Sequence, residues 1–257
     1  MPRLSVVLIV KNEGHNIAAC LDSVAWADEI VVLDSGSEDE TVPLAKRFTD
    51  KVFVDTDWQG FGVQRQRAQA LATGDWIFMI DADERVTPEL ARSIQSAVAS
   101  DDRSKVYAVA RLSYCFGRYI RHSGWYPDRV IRLYARDRSE FGSQRVHEKL
   151  HPGVGTSTAN LDGDLVHYTY RDLHHYLVKS AGYAAAWSED RLEQGKRATL
   201  PQAFLHGVGC FVKMYLVRRG YLDGPQGLLL ALLSAHSTFA KYADLWVRIE
   251  QQKVSAP

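Results

Sequence analysis

Three short apolar runs, each closing on a polar cluster, constrain this chain more than any other feature. Leu4–Val10 is continuous and rich in β-branched residues, and Lys11-Asn12-Glu13 follows it. Residues 30–33 end at Asp34-Ser35-Gly36-Ser37, and residues 76–80 end at Asp81-Ala82-Asp83-Glu84. An apolar run without alternation reads as a strand covered on both faces, which is the signature of a parallel sheet. Between the runs the spacing turns helical: Ile17, Leu21 and Val24 recur on one face, and residues 41–48 and 61–73 read as further helices. Val52–Val54 is a short additional strand, and Thr87-Pro88 starts a helix with an N-cap hydroxyl and a proline at the first helical position. Strands alternating with helices predict βαβ units in an α/β fold with a mostly parallel sheet. Ligands of such sheets bind outside the carboxyl ends of the strands, where the three polar clusters fall.

Beyond residue 104 the alternation weakens, and an Arg- and aromatic-rich region runs to His167. From Arg171 onward the chain reads as helical. Residues 204–215 form an apolar helical stretch, and Asp223-Gly224-Pro225 punctuates a hairpin. Leu232, Ala235, Phe239, Tyr242, Trp246 and Ile249 then step by 3, 4, 3, 4 and 3, the seam of a long amphipathic helix. Residues 224–240 carry no charge, but their Gln, Ser, His and Thr argue against a membrane span. The first residues do not read as a signal peptide, and Cys20, Cys115 and Cys210 are too scattered for a disulfide framework, so a cytoplasmic setting is expected.

Charge is balanced overall, with 31 basic and 31 acidic side chains, which argues against a general nucleic-acid binder. The balance hides a split. Residues 1–103 carry a net charge of −8 and residues 104–151 a net of +6. An acidic half that binds an anion needs a metal or backbone amides, whereas the basic middle can meet phosphate directly. Asp81 and Asp83, two apart at a strand end, can point into one cleft and hold Mg²⁺ or Mn²⁺, hard cations that take oxygen ligands and neutralise a diphosphate. Polar loops produce such a triplet often, so its neighbours decide its meaning.

Those neighbours carry a resemblance. SVVLIVKNEGHNIAACLDSV, ADEIVVLDSGSEDET and GFGVQRQRAQALATGDWIFMIDADERV, in that order, resemble the start of a family 2 glycosyltransferase of the GT-A fold. RHSGWYPDRVIRLY, VHEKL, GDLVHYTYRDL and RRGYLDGPQGLLLALLSAHSTFAKYADLW resemble a narrower branch, the bacterial lipopolysaccharide core-biosynthesis β-glucosyltransferases. The resemblance implies a Rossmann-like GT-A catalytic domain over residues 1–170, with a donor half at 1–103 and an acceptor half at 104–170. A C-terminal helical region would follow over 171–257. It implies an inverting, metal-dependent transfer of a hexose, glucose in this branch, from a UDP-hexose donor to a lipid A-core acceptor.

The implied roles fall on named positions. Lys11, Asn12 and Glu13 line the nucleotide pocket, Asp34 holds uracil or ribose, and Ser35 and Gly36 allow close approach. Arg67 faces the base or phosphates, with Arg65 as the substitute if the helix is rotated. Asp81 contacts ribose or metal, while Asp83 and His167 are metal ligands. The base that takes the acceptor proton is assigned to Glu148 in Val146-His147-Glu148, with Asp128 as runner-up, because the Glu-Asp pair common in the family is absent here. Gly124, Trp125, Arg129 and Arg132 are assigned to the acceptor. For Glu148, Trp125 and His167 the ordinary structural alternatives are a surface ion pair, a core aromatic and a hydrogen-bonded core histidine.

The C-terminal helices, with Lys213, Arg218 and Arg219 beside apolar stretches, suit contact with the cytoplasmic face of the inner membrane or homo-oligomer formation. Two rivals are a sugar-nucleotide nucleotidyltransferase, which needs a Gly-rich basic loop where this chain has VKNEGHN, and a non-catalytic saccharide-binding protein.

Overall fold

The computed structural model describes residues 1–142 and 150–255. Its first part alternates as the pattern predicts: β1 (Leu4–Val10), α1 (Ile17–Asp22), β2 (Glu29–Asp34), α2 (Thr41–Ala45), β3 (Val52–Val54), α3 (Phe61–Ala70) and β4 (Trp76–Met79). A short β5 (Glu84–Val86) and α4 (Pro88–Ser100) follow. Thr87 caps α4 through its hydroxyl, which accepts from the Leu90 amide at 3.3 Å. β1 explains why its run is uninterrupted. Leu4, Val6, Leu8 and Val10 pack with Ile17 and Leu21 of α1 and with Leu90 and Ile94 of α4. Val7 joins the opposite face with Ile77, Met79 and Ala68 of α3. Both faces are covered, so both are apolar apart from Ser5, whose hydroxyl donates to the buried Glu29.

The Arg-rich stretch, where the alternation of strand and helix weakens, is strand-rich. It contains β6 (Lys105–Cys115), β7 (Arg118–Tyr119), β8 (Asp128–Ala135), β9 (Glu140–Phe141), β10 (Leu150–His151) and β11 (Ser157–Tyr170). The main sheet runs β3-β2-β1-β4-β8-β6-β11-β5, parallel from β3 to β4, with β8 antiparallel to both β4 and β6 and β5 antiparallel to β11. The GT-A arrangement expected from the resemblance is therefore present: a parallel first half, an antiparallel continuation and C-terminal helices. Alternation in the antiparallel strands is blurred by arginines, which is why the sequence pattern weakens there.

Two compact units are formed, Met1–Arg111 with Asp128–His167, and Leu112–Pro127 with Tyr168–Pro257. Residues 112–127 thus group with the C-terminal helices. The physical reason is local: Cys115 and Ile120 bury against Leu230, and the buried Asp223 accepts from the amides of Arg121 (3.2 Å) and His122 (2.9 Å).

The second unit contains α5 (Leu173–Glu193), α6 (Leu200–Phe211), a π-helical segment Val212–Val217, a 3₁₀ turn Gly220–Asp223 and α7 (Gly224–Ser255). Asp172 caps α5, and Thr199 with Gln202 forms a reciprocal capping box on α6. α7 packs on both α5 and α6: Tyr242 stacks on His206 at 4.1 Å and meets Trp187 at 4.7 Å. Of the expected seam, Ala235 and Phe239 lie against Gly207, whereas Leu232 is half exposed. The deepest positions of α7 are Leu230, Ala231 and Leu245, and Leu230 is covered by Cys115 and Ile120.

Candidate active site

The parallel register sets Val10 beside Asp34 and Val7 beside Met79, so the polar clusters after β1, β2 and β4 emerge on one edge of the sheet. The first two loops are latched together. Asn12, in the left-handed region at φ 55°, donates its amide to Ser37 Oγ (2.8 Å) and accepts from the Glu38 amide at Oδ1 (2.9 Å). The Glu13 amide donates to Thr41 Oγ1 at 2.7 Å, and the Glu13 carbonyl accepts the Asn16 and Ile17 amides that open α1. Lys11 is exposed.

Asp34 is buried and folds its own turn. Its Oδ1 accepts the amides of Gly36 (2.9 Å) and Ser37 (2.8 Å), and its Oδ2 accepts the Ser37 hydroxyl. Ser35 Oγ accepts from Gln64 of α3 at 3.2 Å. Gly36 sits at φ +88°, and a Cβ there would lie 3.0 Å from Thr56 Cγ2, so the turn and its close approach both require glycine. The polar residues assigned to the nucleotide thus also build the loops that would receive it.

α3 decides between the two arginines. Arg65 turns inward, donating to Asp81 Oδ1 at 2.7 Å with its guanidinium over the Phe141 ring at 5.3 Å. Arg67 turns the other way and pairs with Asp55 (3.1 Å) and Asp57 (2.8 Å) after β3. The residue against the Asp81 loop is therefore Arg65, and Arg67 stays at the rim near the end of β3.

Arg132 completes the cluster from the antiparallel side. Pairing of Phe78 with Leu133 carries β8 past the end of β4. There Arg132 Nη2 donates to both Asp81 Oδ2 and Glu84 Oε1, at 2.6 Å each. Glu84 is fully buried, and its Oε2 accepts the Asp81 amide at 3.0 Å. Burial alone would raise the Asp81 pKa, but the charges and hydrogen bonds of Arg132 and Arg65 overcome it and hold this carboxyl far below the usual range. Glu84 goes the other way: burial, helped by the Asp81 charge, pushes it up despite Arg132. Burial would lower the Arg132 pKa, but Asp81 and Glu84 raise it, so it stays charged. Its Nε is buried with no hydrogen-bond partner among the described residues. Glu84 belongs to a cluster visible in the sequence, but its burial, and hence its part in the site, comes only from the fold.

Asp83 meets His167 because β11 runs antiparallel to β5, pairing His167 with Glu84. Asp83 Oδ2 lies 3.3 Å from His167 Nε2, both partly accessible. This carboxylate oxygen and imidazole nitrogen fit a divalent ion that takes its remaining ligands from phosphate and water. Each Asp81 oxygen also accepts from a guanidinium, Oδ1 from Arg65 and Oδ2 from Arg132. Among the described residues no three His, Cys, Asp or Glu side chains gather into a cage.

Asp128 is 43% exposed and accepts from Arg111 through Nε at 2.9 Å and through Nη2. Arg129, its neighbour on β8, is exposed. Glu148 lies outside the described residues. Gly124 and Trp125 belong to the second unit. Gly124, at φ +79°, lies against the Arg218 stem, and Trp125 packs partly buried in the cluster of Cys115, Ile120 and Leu230.

Comparison with known proteins identifies the family. A lipopolysaccharide core biosynthesis glycosyltransferase, LpsC of Rhizobium meliloti, is 28% identical over 250 residues, covering 95% of this chain and 92% of that protein. An uncharacterized glycosyltransferase of Rickettsia felis is 28% identical over 264 residues, covering 95% of this chain and 90% of its own. Among solved structures, glucosyl-3-phosphoglycerate synthase from Mycobacterium tuberculosis, with Mn²⁺, UDP and glucosyl-3-phosphoglycerate, is similar over 67% of this chain and 74% of that chain, with 20% identity and a TM-score of 0.46. The model of glycosyl transferase family 2 matches residues 5–167, from β1 to the histidine beside Asp83. This chain is a glycosyltransferase and belongs to glycosyl transferase family 2.

Proposed function

We propose that this enzyme transfers a hexose, glucose, from a UDP-hexose to a lipopolysaccharide inner-core saccharide with inversion at the anomeric carbon. The observation that carries the donor side is the Asp83–His167 pair, set beside an arginine-clamped Asp81 at the carboxyl edge of the parallel strands. The acceptor class is supported by the similarity to LpsC. Family membership favours transfer over the nucleotidyltransferase and saccharide-binding alternatives.

Asp83 and His167 would hold Mg²⁺ or Mn²⁺; when bound, the ion offsets the negative charge of the diphosphate leaving group. Lys11, Asn12 and Glu13, with Asp34, Ser35 and Gly36, would bound the base and ribose. Arg65 and Arg132, fixed on Asp81, keep positive charge at the mouth of the acidic edge. In the transfer an acceptor hydroxyl oxygen bonds to the anomeric carbon from the face opposite the diphosphate. The carbon–oxygen bond to UDP breaks, its electron pair leaves with UDP, and the hydroxyl proton passes to a carboxylate. Glu148 takes that proton in this reading, with Asp128 second, and Arg129 would meet the acceptor. A lipid-anchored acceptor places the work at the cytoplasmic leaflet.

Asp83→Ala should abolish turnover and the Mn²⁺-dependent part of UDP binding, read by titration calorimetry with and without EDTA, while the circular dichroism spectrum stays unchanged. Unaltered UDP affinity in both conditions would remove the metal assignment.

A further inference from the structure

The second unit leaves a broad apolar face uncovered. Ala203, Gly207, Cys210 and Met214 turn toward the interior of this unit, while Phe204 (63% exposed), Leu205 (67%), Val208, Val212, Leu216 (55%) and Val217 point outward. The steps among the outward positions are helical and continue from α6 into the π-helical segment, so they form one stripe. Contiguous exposed apolar surface of this kind marks an interaction site.

The charge around the stripe selects the occupant. Residues 196–222 contain Lys196, Arg197, Lys213, Arg218 and Arg219 and no Asp or Glu. All five cations are exposed, and the next acid, Asp223, is buried on the amides of Arg121 and His122. Tyr221, half exposed beside Arg219, suits the boundary between headgroup and acyl chain. A second copy of the chain seated on this face would bring five cations against five, whereas an anionic surface is complementary. No helix among the described residues is long and apolar enough to cross a membrane, so the fitting mode is a helix lying in the interface.

We propose that the outer face of α6 and the Val212–Val217 segment docks on an anionic lipid surface, with Phe204, Leu205, Val208 and Leu216 entering the acyl boundary and Lys213, Arg218 and Arg219 on the headgroups. The face deepens the reading of a lipid-linked acceptor. Its test uses neither donor nor acceptor, so either idea can fail alone.

The full chain is floated with vesicles of phosphatidylethanolamine and phosphatidylglycerol, and separately with phosphatidylcholine alone. Binding is expected on the anionic vesicles only and should weaken as NaCl is raised. Replacing two cations by R218Q/R219Q should lower partitioning roughly 30-fold, about fivefold per charge. The triple variant F204S/L205S/V208S, at exposed positions that leave the fold intact by circular dichroism, should lower it by at least about tenfold. Equal partitioning into neutral and anionic vesicles overturns the proposal, and this comparison needs no variant to fold. So does a triple variant that still binds fully. A doubled mass in light scattering that the triple variant loses, without vesicle binding, assigns the face to a second copy instead.

Discussion

Asp81→Asn isolates the physical role of the first carboxylate of the Asp81-Ala82-Asp83 triplet. In the native site its two oxygens accept charge-assisted hydrogen bonds of 2.7 and 2.6 Å from Arg65 and Arg132, whose side chains are each only 7% exposed. The amide keeps the shape and one acceptor, but turns an NH₂ toward a guanidinium, so one arginine loses its partner while buried. Removing one member of a buried ion pair costs about 3–5 kcal/mol. Glu84 recovers part of that loss. Burial and the Asp81 charge both push it toward its neutral form, and without that charge it ionises more readily against Arg132. The expected net cost is about 3 kcal/mol, near the lower limit. Asp83→Asn, whose carboxylate lies 3.3 Å from His167 at a partly exposed site, should cost below about 1 kcal/mol.

Urea unfolding followed by circular dichroism at pH 7 reads both values. The pH dependence supplies the sign. Asp81 has its folded pKa depressed below the ordinary 3.8, so its contribution is fully present above that value and is lost as pH falls below it. The gap between native protein and Asp81→Asn should therefore hold from about pH 5 to 8 and close in acid. Equal stability losses for the Asp81 and Asp83 variants would refute the arginine clamp.

Glu148→Gln should keep donor binding and lose transfer, measured as sugar incorporation against UDP affinity, and Asp128→Asn should retain transfer; loss only in the Asp128 variant reverses the base assignment. Glu29, 3% exposed at its side chain, would be raised by burial, but hydrogen bonds from Lys51, Ser5 and Thr73 lower its pKa from 4.5 to about 2. Its stabilisation, of order 3 kcal/mol from that shift, is present above pH 4.5 and lost toward pH 2, so Glu29→Gln should flatten the acid limb of the stability curve. A Cβ on Gly227 would overlap the Gly220 carbonyl oxygen, so Gly227→Ala should destabilise the second unit by about 3 kcal/mol or more in thermal melts. Gly209→Ala, in α6 with open space around it, should stabilise by about 0.5–1 kcal/mol.

The parallel half was legible because its rules are local. An apolar run such as Leu4–Val10, broken only by Ser5, reads as a strand covered on both faces, and Thr87-Pro88 reads as a helix start. Polar clusters after such strands then locate the functional edge before any contact is known. The partners within that edge are not local. Whether Arg65 or Arg67 faces Asp81 depends on the phase of α3, which carries too little apolar periodicity to reveal it. Arg132 reaches Asp81 across 51 positions, and only because β8 runs antiparallel to β4 with Leu133 opposite Phe78. His167 reaches Asp83 by the pairing of β11 with β5, a partner strand that the sequence pattern does not announce.

The same distinction holds in the helices. The spacing of Leu232, Ala235, Phe239 and Tyr242 predicts a helix correctly, but α7 is apolar on several sides, so periodicity cannot rank them. Leu230 buries with Cys115 and Ile120, Tyr242 packs on His206 and Trp187, and Leu232 stays half in solvent. Sequence determined the elements and the edge where chemistry gathers, because backbone propensity and burial on two faces act over a few residues. Tertiary structure decided which charges meet there, because strand register and helix phase are set by the packing of the whole unit.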